Sequence, residues 1–316
     1  LARSGLPGPL RAWLVDGGEP EAVLRELRRV PTGAAVGFLA QLAKHTISET
    51  DAAQLRMRLA DEDWVRRALA GWRSRLWWHR LEAARAYALM AGPADRDRVL
   101  HLLDDEHPVV QISACVAIPR VLDEIAVERL LDRLFAMPKV VRQGVTQVLR
   151  PFAHVVGPAL ARRIATGQRR LEVSTWIEFA EELNDIGALQ AALGRAQEDS
   201  VPIRRACAKA LRRLPFAESE AALIALLRDP DTSVRAAAAR TLGLMESRTA
   251  LPALSAALSD PVWLVRVRAA VALAQAGEPG RAALRVARNG ADRYARDMAH
   301  MVGNLSEGAL LDIGEA

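Results

Sequence analysis

The sequence has few cysteines, few aromatic residues and no long apolar run. Its longest uncharged stretch, residues 30–43, contains Pro31, Gly33 and Gly37. That stretch is shorter than the roughly 20 residues that a transmembrane helix needs. Aromatic and β-branched residues are too sparse to favour a sheet, whereas Ala and Leu, the commonest residues, are strong helix formers. We therefore expect an all-α protein.

Lysine is also scarce, because it occurs only at positions 44, 139 and 209, and the other 40 of the 43 basic residues are arginine. A bias of this size is typical of a GC-rich bacterial genome. The net charge of +5 by itself suggests nucleic acid, but 38 acidic residues are interleaved with the basic ones. Pairs such as Glu21 with Arg25 and Glu26 with Arg29 have helix-stabilising spacings. A mixed-charge surface is therefore favoured over a phosphate-binding stripe.

A repeat of 31 residues is the strongest pattern in the chain. Residues 229–243 and 260–274 share Asp-Pro, then Val-Arg, then Ala-Ala. The residues at intervals of 31 before Arg266 form a column of mostly basic or amide side chains. A second column, seven residues after each member of the first, is mostly Leu. Such a period predicts stacked helical hairpins, each burying its apolar face against its neighbours. The fold class is thus predicted as an all-α, right-handed α-solenoid.

The repeat divides the chain into four predicted parts. Residues 1–20 contain four glycines and three prolines and are predicted to be a flexible linker. Residues 21–76 hold irregular helices, including one predicted over 64–76, and residues 77–289 form the repeat array. Residues 290–316 provide a capping helix and a polar tail. Near residues 165–185 the array is irregular, and a shift of one residue is predicted to return Leu171 and Phe179 to the core.

Cys115 and Cys207 fall in small-residue columns of the repeat, three units apart. At 8–10 Å for each helix layer they are roughly 30 Å apart, too far for a disulfide. We interpret both as small core residues in a reducing compartment.

The pattern of Val234-Arg235, Ala238-Ala239 and Leu242-Gly243 resembles the HEAT repeat of the armadillo-like families. The resemblance extends over about two thirds of the chain. In that family the repeated Asp and Arg form a ladder of hydrogen bonds between turns. The resemblance therefore implies a structural ladder of five arginines: Arg80, Arg142, Arg204, Arg235 and Arg266.

The chain also resembles a bacterial group of membrane-anchored HEAT-repeat proteins that are associated with glycosyltransferases. Residues 77–84 and 292–299 carry this likeness. We expect a cytoplasmic protein. The sequence opens with Leu1 rather than Met, so a segment upstream that tethers it to the inner membrane is the alternative.

No grouping of residues indicates catalysis. None of the six histidines has a His or Cys partner at zinc-ligand spacing, and no glycine-rich phosphate loop follows a strand. His79 shares a column with Val234 and Val265 and is predicted to be a packed core residue. We expect no enzyme activity, no cofactor and no metal.

Solenoids bind along their inner helices, so the side chains predicted to face outward there are candidate contacts. One column is mixed rather than basic, which favours a protein or peptide partner over nucleic acid. Trp77 and Trp263 share a position of the repeat at the start of an inner helix. We interpret them either as side chains that fill the core or as aromatic anchors for a partner. The candidate partner-binding residues are Trp77, Arg85, Lys209, Arg240, Trp263, Arg268 and Val271.

The leading hypothesis is a non-catalytic scaffold that binds a protein partner on its inner helices, as an accessory to a membrane-associated complex. The alternative is a HEAT-like DNA-binding protein or DNA glycosylase, supported by the net charge and the tryptophans. A chromophore lyase of the HEAT-repeat type is a third reading that no residue favours.

Overall fold

The computed structural model describes residues 20–44, 49–303, 305 and 308. The predicted linker lies outside the described residues apart from Pro20, and so does most of the predicted tail. Among the described residues every regular element is helical, which confirms the all-α class. The chain forms two compact units, residues 1–152 and 153–316, which are described separately.

In the first unit, a series of inner helices stacks side by side, each paired with an outer helix. The inner layer contains α2, α5, α7 and α9, in which α5 packs on α2, α7 on α5 and α9 on α7. The α-helices are α1 Pro20–Arg29, α2 Thr32–Lys44, α3 Glu49–Ala60, α4 Asp63–Ala70, α5 Trp77–Met90, α6 Arg96–Leu103, α7 Pro108–Cys115, α8 Glu124–Arg133 and α9 Lys139–Leu149. Short 3₁₀ turns span Gly71–Arg73, Pro93–Asp95, Ile118–Val121 and Arg150–Phe152.

The second unit repeats this arrangement. Its inner helices α11, α13, α15, α17 and α19 pack in that order. The α-helices are α10 Ala153–Thr166, α11 Arg170–Leu183, α12 Ile186–Leu193, α13 Val201–Ala210, α14 Ala217–Leu226, α15 Thr232–Leu244, α16 Leu251–Ala257, α17 Trp263–Gln275, α18 Gly277–Arg288 and α19 Arg293–Gly303, with a 3₁₀ turn over Leu211–Arg213.

Two inner helices of the second unit begin at an aspartate that caps them. The Asp231 carboxylate accepts the backbone N–H groups of Ser233 and Val234 at the start of α15. Asp292 does the same for Tyr294 and Ala295 at the start of α19. These bonds satisfy amides that have no partner within the helix, so they define where each helix starts.

The apolar columns of the repeat form the core. Leu211, Leu242 and Leu273 are completely buried in the second unit, as the period predicts. Gly243 permits a close approach, because a Cβ atom there would lie 2.8 Å from the Cα of Ala272 on the next inner helix. Ala-rich columns and this glycine therefore let α15 and α17 pack closely.

Two local predictions are wrong. The helix predicted over residues 64–76 ends at Ala70, where a 3₁₀ turn over Gly71–Arg73 follows and the backbone becomes extended at Ser74. Gly71 lies close to α5, since an added Cβ would be 3.0 Å from the carbonyl oxygen of His79. Leu171 is 56% exposed, whereas Phe179 and Val173 are fully buried. The register therefore continues without a shift, and Leu171 occupies the same exposed first-turn position as Val140 and Leu264.

Candidate partner-binding surface

Buried ion pairs connect successive repeats through the predicted arginine column. Arg80 donates to both carboxylate oxygens of Asp105, at 2.5 and 3.0 Å. Arg204 binds Asp229 in the same way at 2.6 and 2.9 Å, and Arg235 binds Asp260 at 2.7 and 3.1 Å. In each case the carboxylate lies 25 residues after the arginine. Paired hydrogen bonds of this kind match the planar guanidinium to the carboxylate and hold both groups in one geometry.

The remaining guanidinium nitrogen of each arginine binds backbone. Nη1 of Arg204 donates to the carbonyl oxygen of Glu198, and Nη1 of Arg235 donates to that of Asp229, at 2.8 and 2.9 Å. Asp229 thus binds one arginine through its carboxylate and the next through its carbonyl. The side chain of Asp231, and not that of Asp229, caps α15.

Two of the five predicted ladder arginines lack the carboxylate. Arg266 still donates to the carbonyl oxygens of Asp260 and Pro261. The residue 25 positions later is Ala291, which has no carboxylate, and the buried Nε of Arg266 has no hydrogen bond among the described residues. The Tyr294 ring covers the guanidinium instead, 4.4 Å from Cζ to the ring centre. Arg142 departs from the prediction. Its side chain forms no hydrogen bond with a described residue, because Gly167 occupies the corresponding position and supplies no carboxylate.

One ladder interaction comes from a residue that the repeat pattern did not predict. Val173 occupies the arginine column, and Arg195, at the end of the α12 region, takes over the role. Its guanidinium binds Glu198 and donates to the carbonyl oxygens of Ile164 and Gly167, at 2.7 and 3.1 Å. One feature of the sequence indicated this interaction: Glu198 stands 31 residues before Asp229, in the repeat column that supplies the carboxylates.

The predicted contact residues differ widely in exposure. Trp77 and Trp263 are 39% and 56% exposed, so core filling does not account for them. The Trp77 ring lies 5.1 Å from that of His107. Lys209 is exposed, whereas Arg85, Arg240 and Arg268 are half-buried. Burial, and secondarily the charge of Arg240, lower the pKa of the Arg268 guanidinium.

Two predictions about individual side chains are wrong. Val271 is only 2% exposed, because α17 is enclosed by α15, α18 and α19, and it is not available to a partner. His79 is exposed rather than packed in the core, since it stands in the first turn of α5, and its ring contacts Ser74 and Trp78. Whether the exposed members of the predicted set bind a partner stays a prediction.

The covering of α5 explains why Arg85 is half-buried. Gly33 and Gly37, one helical turn apart on α2, face Glu82 and Arg85 of α5. A Cβ at Gly33 would lie 3.2 Å from Oε1 of Glu82, and one at Gly37 would lie 3.9 Å from Nη1 of Arg85. The α2 helix therefore covers this part of the column, and the open surface of the first unit starts beyond it.

A cleft of about 870 Å³ crosses the inner helices of the first unit. Its floor is formed by α7 and α9, and the ends of α2 and α5 contribute to its wall, together with α3. Ile112 on α7 and Val116, which directly follows that helix, line the cleft, and Ile112 is 40% exposed. Val109 lies one turn before Ile112 on α7 and is also exposed. Residues of this face were missed as site candidates because the sequence does not say which inner helices stay uncovered.

Basic side chains accompany this apolar floor. Lys44, Arg56 and Arg120 line the cleft, and no Asp or Glu is among its described lining residues. The Arg120 Nε donates to the carbonyl oxygen of Ala88 at 2.9 Å, which holds that side chain against the end of α5. The exposed amide of Gln147 adds a donor and an acceptor on α9. The cleft therefore combines apolar contact area with basic side chains.

Both cysteines are buried and free, as predicted. Burial raises the pKa of Cys115 and of Cys207 to about 12. Gly144 lies against Cys115 on the neighbouring helix, where an added Cβ would be 3.4 Å from Sγ. Both thiols therefore behave as small packing groups.

In the described ranges no three His, Cys, Asp or Glu side chains are grouped closely enough to hold a metal ion. No helix within the same ranges has the length and the apolar character to cross a bilayer.

These helical hairpins, stacked with a 31-residue period and joined by Arg–Asp pairs, define an α-helical repeat protein. The family model for HEAT repeats matches residues 188–274 and 220–302. Residues 188–302 therefore match HEAT repeats, and the predicted class of α-solenoid is confirmed. No curated protein matches the sequence significantly.

The solved structures to which the chain is similar have low sequence identity and low TM-scores. Human deoxyhypusine hydroxylase is 19% identical with a TM-score of 0.31, and the match covers 79% of this chain and 96% of that one. The YibA protein of Escherichia coli is 12% identical with a TM-score of 0.39, covering 83% and 98%. The complex of CpcE and CpcF of phycocyanin lyase from Nostoc is 18% identical with a TM-score of 0.33, covering 77% and 94%.

Proposed function

We propose that this protein is a non-catalytic HEAT-repeat scaffold that binds a protein partner on the inner-helix surface of its first unit. The observation that carries the proposal is the cleft over α7 and α9, where Ile112 remains 40% exposed on an inner helix, one turn from Val109, which is 51% exposed. Exposed apolar groups in a concave surface of several hundred Å³ are typical of binding sites.

The distribution of arginine supports a protein partner over nucleic acid. Arg80, Arg204 and Arg235 are engaged by carboxylates of their own chain, and the exposed Arg28 and the half-buried Arg133 also pair with acidic residues. A nucleic-acid groove gains affinity by neutralising successive phosphates, which needs cations that face the ligand in nearly every repeat. A place beside a membrane enzyme rests only on the resemblance of residues 77–84 and 292–299 to the membrane-anchored group.

Site-specific photocrosslinking in cells tests the proposal. A benzophenone amino acid is placed at Ile112 in the full-length protein, and the matched control carries it at Val286, which is 75% exposed on α18 of the second unit. We expect a discrete protein adduct, identified by mass spectrometry, from position 112 but not from position 286. Adducts that are the same at both positions, or that disappear after nuclease treatment, would contradict the proposal.

A further inference from the structure

We propose that Arg266 and Arg296, the last two arginines of the ladder, form a binding site for a carboxylate group. The inference concerns the second unit and is independent of the cleft in the first. In a complete rung, Nη1 of the arginine donates to a backbone carbonyl oxygen six residues earlier, and Nε and Nη2 bind one carboxylate. Arg235 shows both halves of this pattern, with Nη1 bound to the carbonyl oxygen of Asp229 and the opposite edge bound to Asp260.

Arg296 belongs to the ladder although the 31-residue period does not predict it. Its Nη1 donates to the carbonyl oxygen of Gly290, six residues earlier, at 2.9 Å. Arg266 donates in the same way to the carbonyl oxygen of Asp260 at 2.8 Å. The interval from Arg266 to Arg296 is 30 residues, so a column with a constant interval of 31 reaches Asp297 instead.

Both arginines lack the carboxylate that completes a rung. Before the other ladder arginines of the second unit, the residue six positions earlier is acidic: Glu198, Asp229 and Asp260. Asp229 and Asp260 use this carboxylate to bind the preceding arginine of the ladder. Gly290 takes the same position before Arg296 and has no side chain that could reach Arg266. Nε and Nη2 of Arg266 and of Arg296 form no hydrogen bond with a described residue.

The described carboxylates around the pair are already engaged. Asp260 binds Arg235 through both of its carboxylate oxygens. Asp292 accepts two backbone N–H groups at the start of α19. Asp297 lies 3.8 Å from Nε of Arg293. The missing partner therefore has to come from elsewhere.

Burial makes the unpaired edge of Arg266 significant. This residue is only 8% exposed, and its Nε is buried without a hydrogen bond. A buried cation without a counter-charge is unfavourable, so a carboxylate that reaches it gains a charge-assisted pair. The Tyr294 ring stacks on the face of the guanidinium, with Cζ 4.4 Å from the ring centre, which leaves the in-plane N–H groups for a ligand. Arg296 is half-buried and gives the ligand access to the pair.

Geometry favours a carboxylate over other anions. Two parallel N–H groups on one edge of a guanidinium match the two oxygens of a carboxylate. Arg204 and Arg235 bind carboxylates in this way with the same Nη1 anchor, so the unpaired arginines are already held in the orientation that binds such a group. The ligand is an Asp or Glu side chain or a terminal carboxylate, supplied by the acidic tail of this chain or by another molecule.

NMR spectra of the arginine Nε–H groups in the ¹⁵N-labelled full-length protein test the inference, with sodium acetate as the probe. The variants Arg266→Lys, Arg296→Lys and Arg204→Lys assign the three relevant signals, because each removes one of them. We expect acetate to shift the Arg266 and Arg296 signals saturably, with half-saturation below about 100 mM. Sodium chloride at equal ionic strength should shift neither signal. Arg204, whose edge Asp229 already occupies, should not respond to acetate.

The Gly290→Asp variant tests the geometry from within the chain. Its carboxylate takes the place that Asp260 has one repeat earlier. The Arg266 signal should therefore move without acetate and stop responding to it, while Arg296 keeps its response. In the matched control Gly303→Asp the added Cβ meets nothing within 4 Å, and both responses should remain. If circular dichroism shows that Gly290→Asp is unfolded, the acetate titration of the unchanged protein decides alone.

A tail variant identifies the source of the carboxylate. It combines Glu307→Gln, Asp312→Asn and Glu315→Gln in the full chain. A shift of the Arg266 and Arg296 signals in this variant before any probe is added assigns the tail as the source, and unchanged signals assign another molecule.

Three results would overturn the inference. The first is the absence of a saturable acetate response in both the unchanged protein and the tail variant. The second is a response of Arg266 that survives in folded Gly290→Asp. The third is tighter binding of sodium phosphate than of acetate, which would make the pair a general anion site.

Discussion

Asp229 connects two arginines of neighbouring inner helices, since its carboxylate binds Arg204 and its carbonyl oxygen accepts a hydrogen bond from Arg235. Arg235 in turn binds Asp260, whose carbonyl oxygen accepts from Arg266. Side chain and backbone thus alternate along one continuous chain of hydrogen bonds. This arrangement couples α13, α15 and α17 without using the apolar core between them.

Removing a carboxylate from this chain should be strongly destabilising. In Asp229→Ala the guanidinium of Arg204 stays buried, with its side chain 10% exposed, and loses its counter-charge. Breaking a buried pair in this way costs about 3–5 kcal/mol of the free energy of unfolding. Urea unfolding monitored by circular dichroism measures the loss. Glu278→Ala, which removes the exposed partner of Arg285, is the control and should cost about 1 kcal/mol or less. Equal losses in both variants would show that the ladder does not stabilise the stack.

Gly243→Ala should separate two inner helices. The new Cβ atom would lie 2.8 Å from both Cα and Cβ of Ala272, where backbone has to move. Overpacking of this kind costs about 1–3 kcal/mol, which outweighs the better helix propensity of alanine. The thermal unfolding midpoint should therefore fall. In the control Gly303→Ala the added Cβ meets nothing within 4 Å, and the midpoint should stay or rise slightly. A midpoint for Gly243→Ala at or above that of the unchanged protein would refute the close approach.

The two thiols should be inert in the folded protein. Burial raises the pKa of both Cys115 and Cys207 to about 12, so neither is appreciably ionised at pH 8, and a reagent has little access to either. Titration with a chromogenic disulfide at pH 8 should detect fewer than about 0.2 thiols per chain before unfolding and both thiols in concentrated urea. Rapid reaction of one thiol under native conditions would mean that its helix opens locally.

Acid should weaken the cap of α8. A hydrogen bond from the Ala126 N–H, opposed by desolvation and assisted by Arg96, lowers the pKa of Asp123 below its ordinary value of 3.8. Because the folded pKa is the lower one, this stabilisation is present above pH 3.8 and is lost as the pH falls through the folded pKa. Asn caps a helix about as well as Asp but cannot ionise. The stability difference between the unchanged protein and Asp123→Asn should therefore be largest near pH 7 and shrink towards pH 2, measured as urea midpoints. A difference independent of pH would contradict this assignment.

The core positions that the sequence predicted correctly are those that recur with the 31-residue period. The column of Leu211, Leu242 and Leu273 depends on spacing along the chain, which a fixed period displays directly. The pairing of Arg80, Arg204 and Arg235 was expected from the resemblance to the HEAT repeat. Arg195 was not predictable in the same way, because it reaches the carbonyl oxygens of Ile164 and Gly167 from a different column. A compensating side chain of this kind is recognisable only when the groups that it binds are placed in space.

The candidate site shows most clearly which features follow from the sequence and which follow from the tertiary structure. Local spacing and helix propensity by themselves determined stacked α-hairpins and the burial of both cysteines, because these depend on neighbours at constant intervals. Only the tertiary structure decided which inner-helix side chains remain accessible: α2 covers Arg85, α17 is enclosed around Val271, and α7 leaves Val109 and Ile112 exposed. Accessibility depends on what packs against a helix from elsewhere in the chain, and no period within the helix itself encodes that.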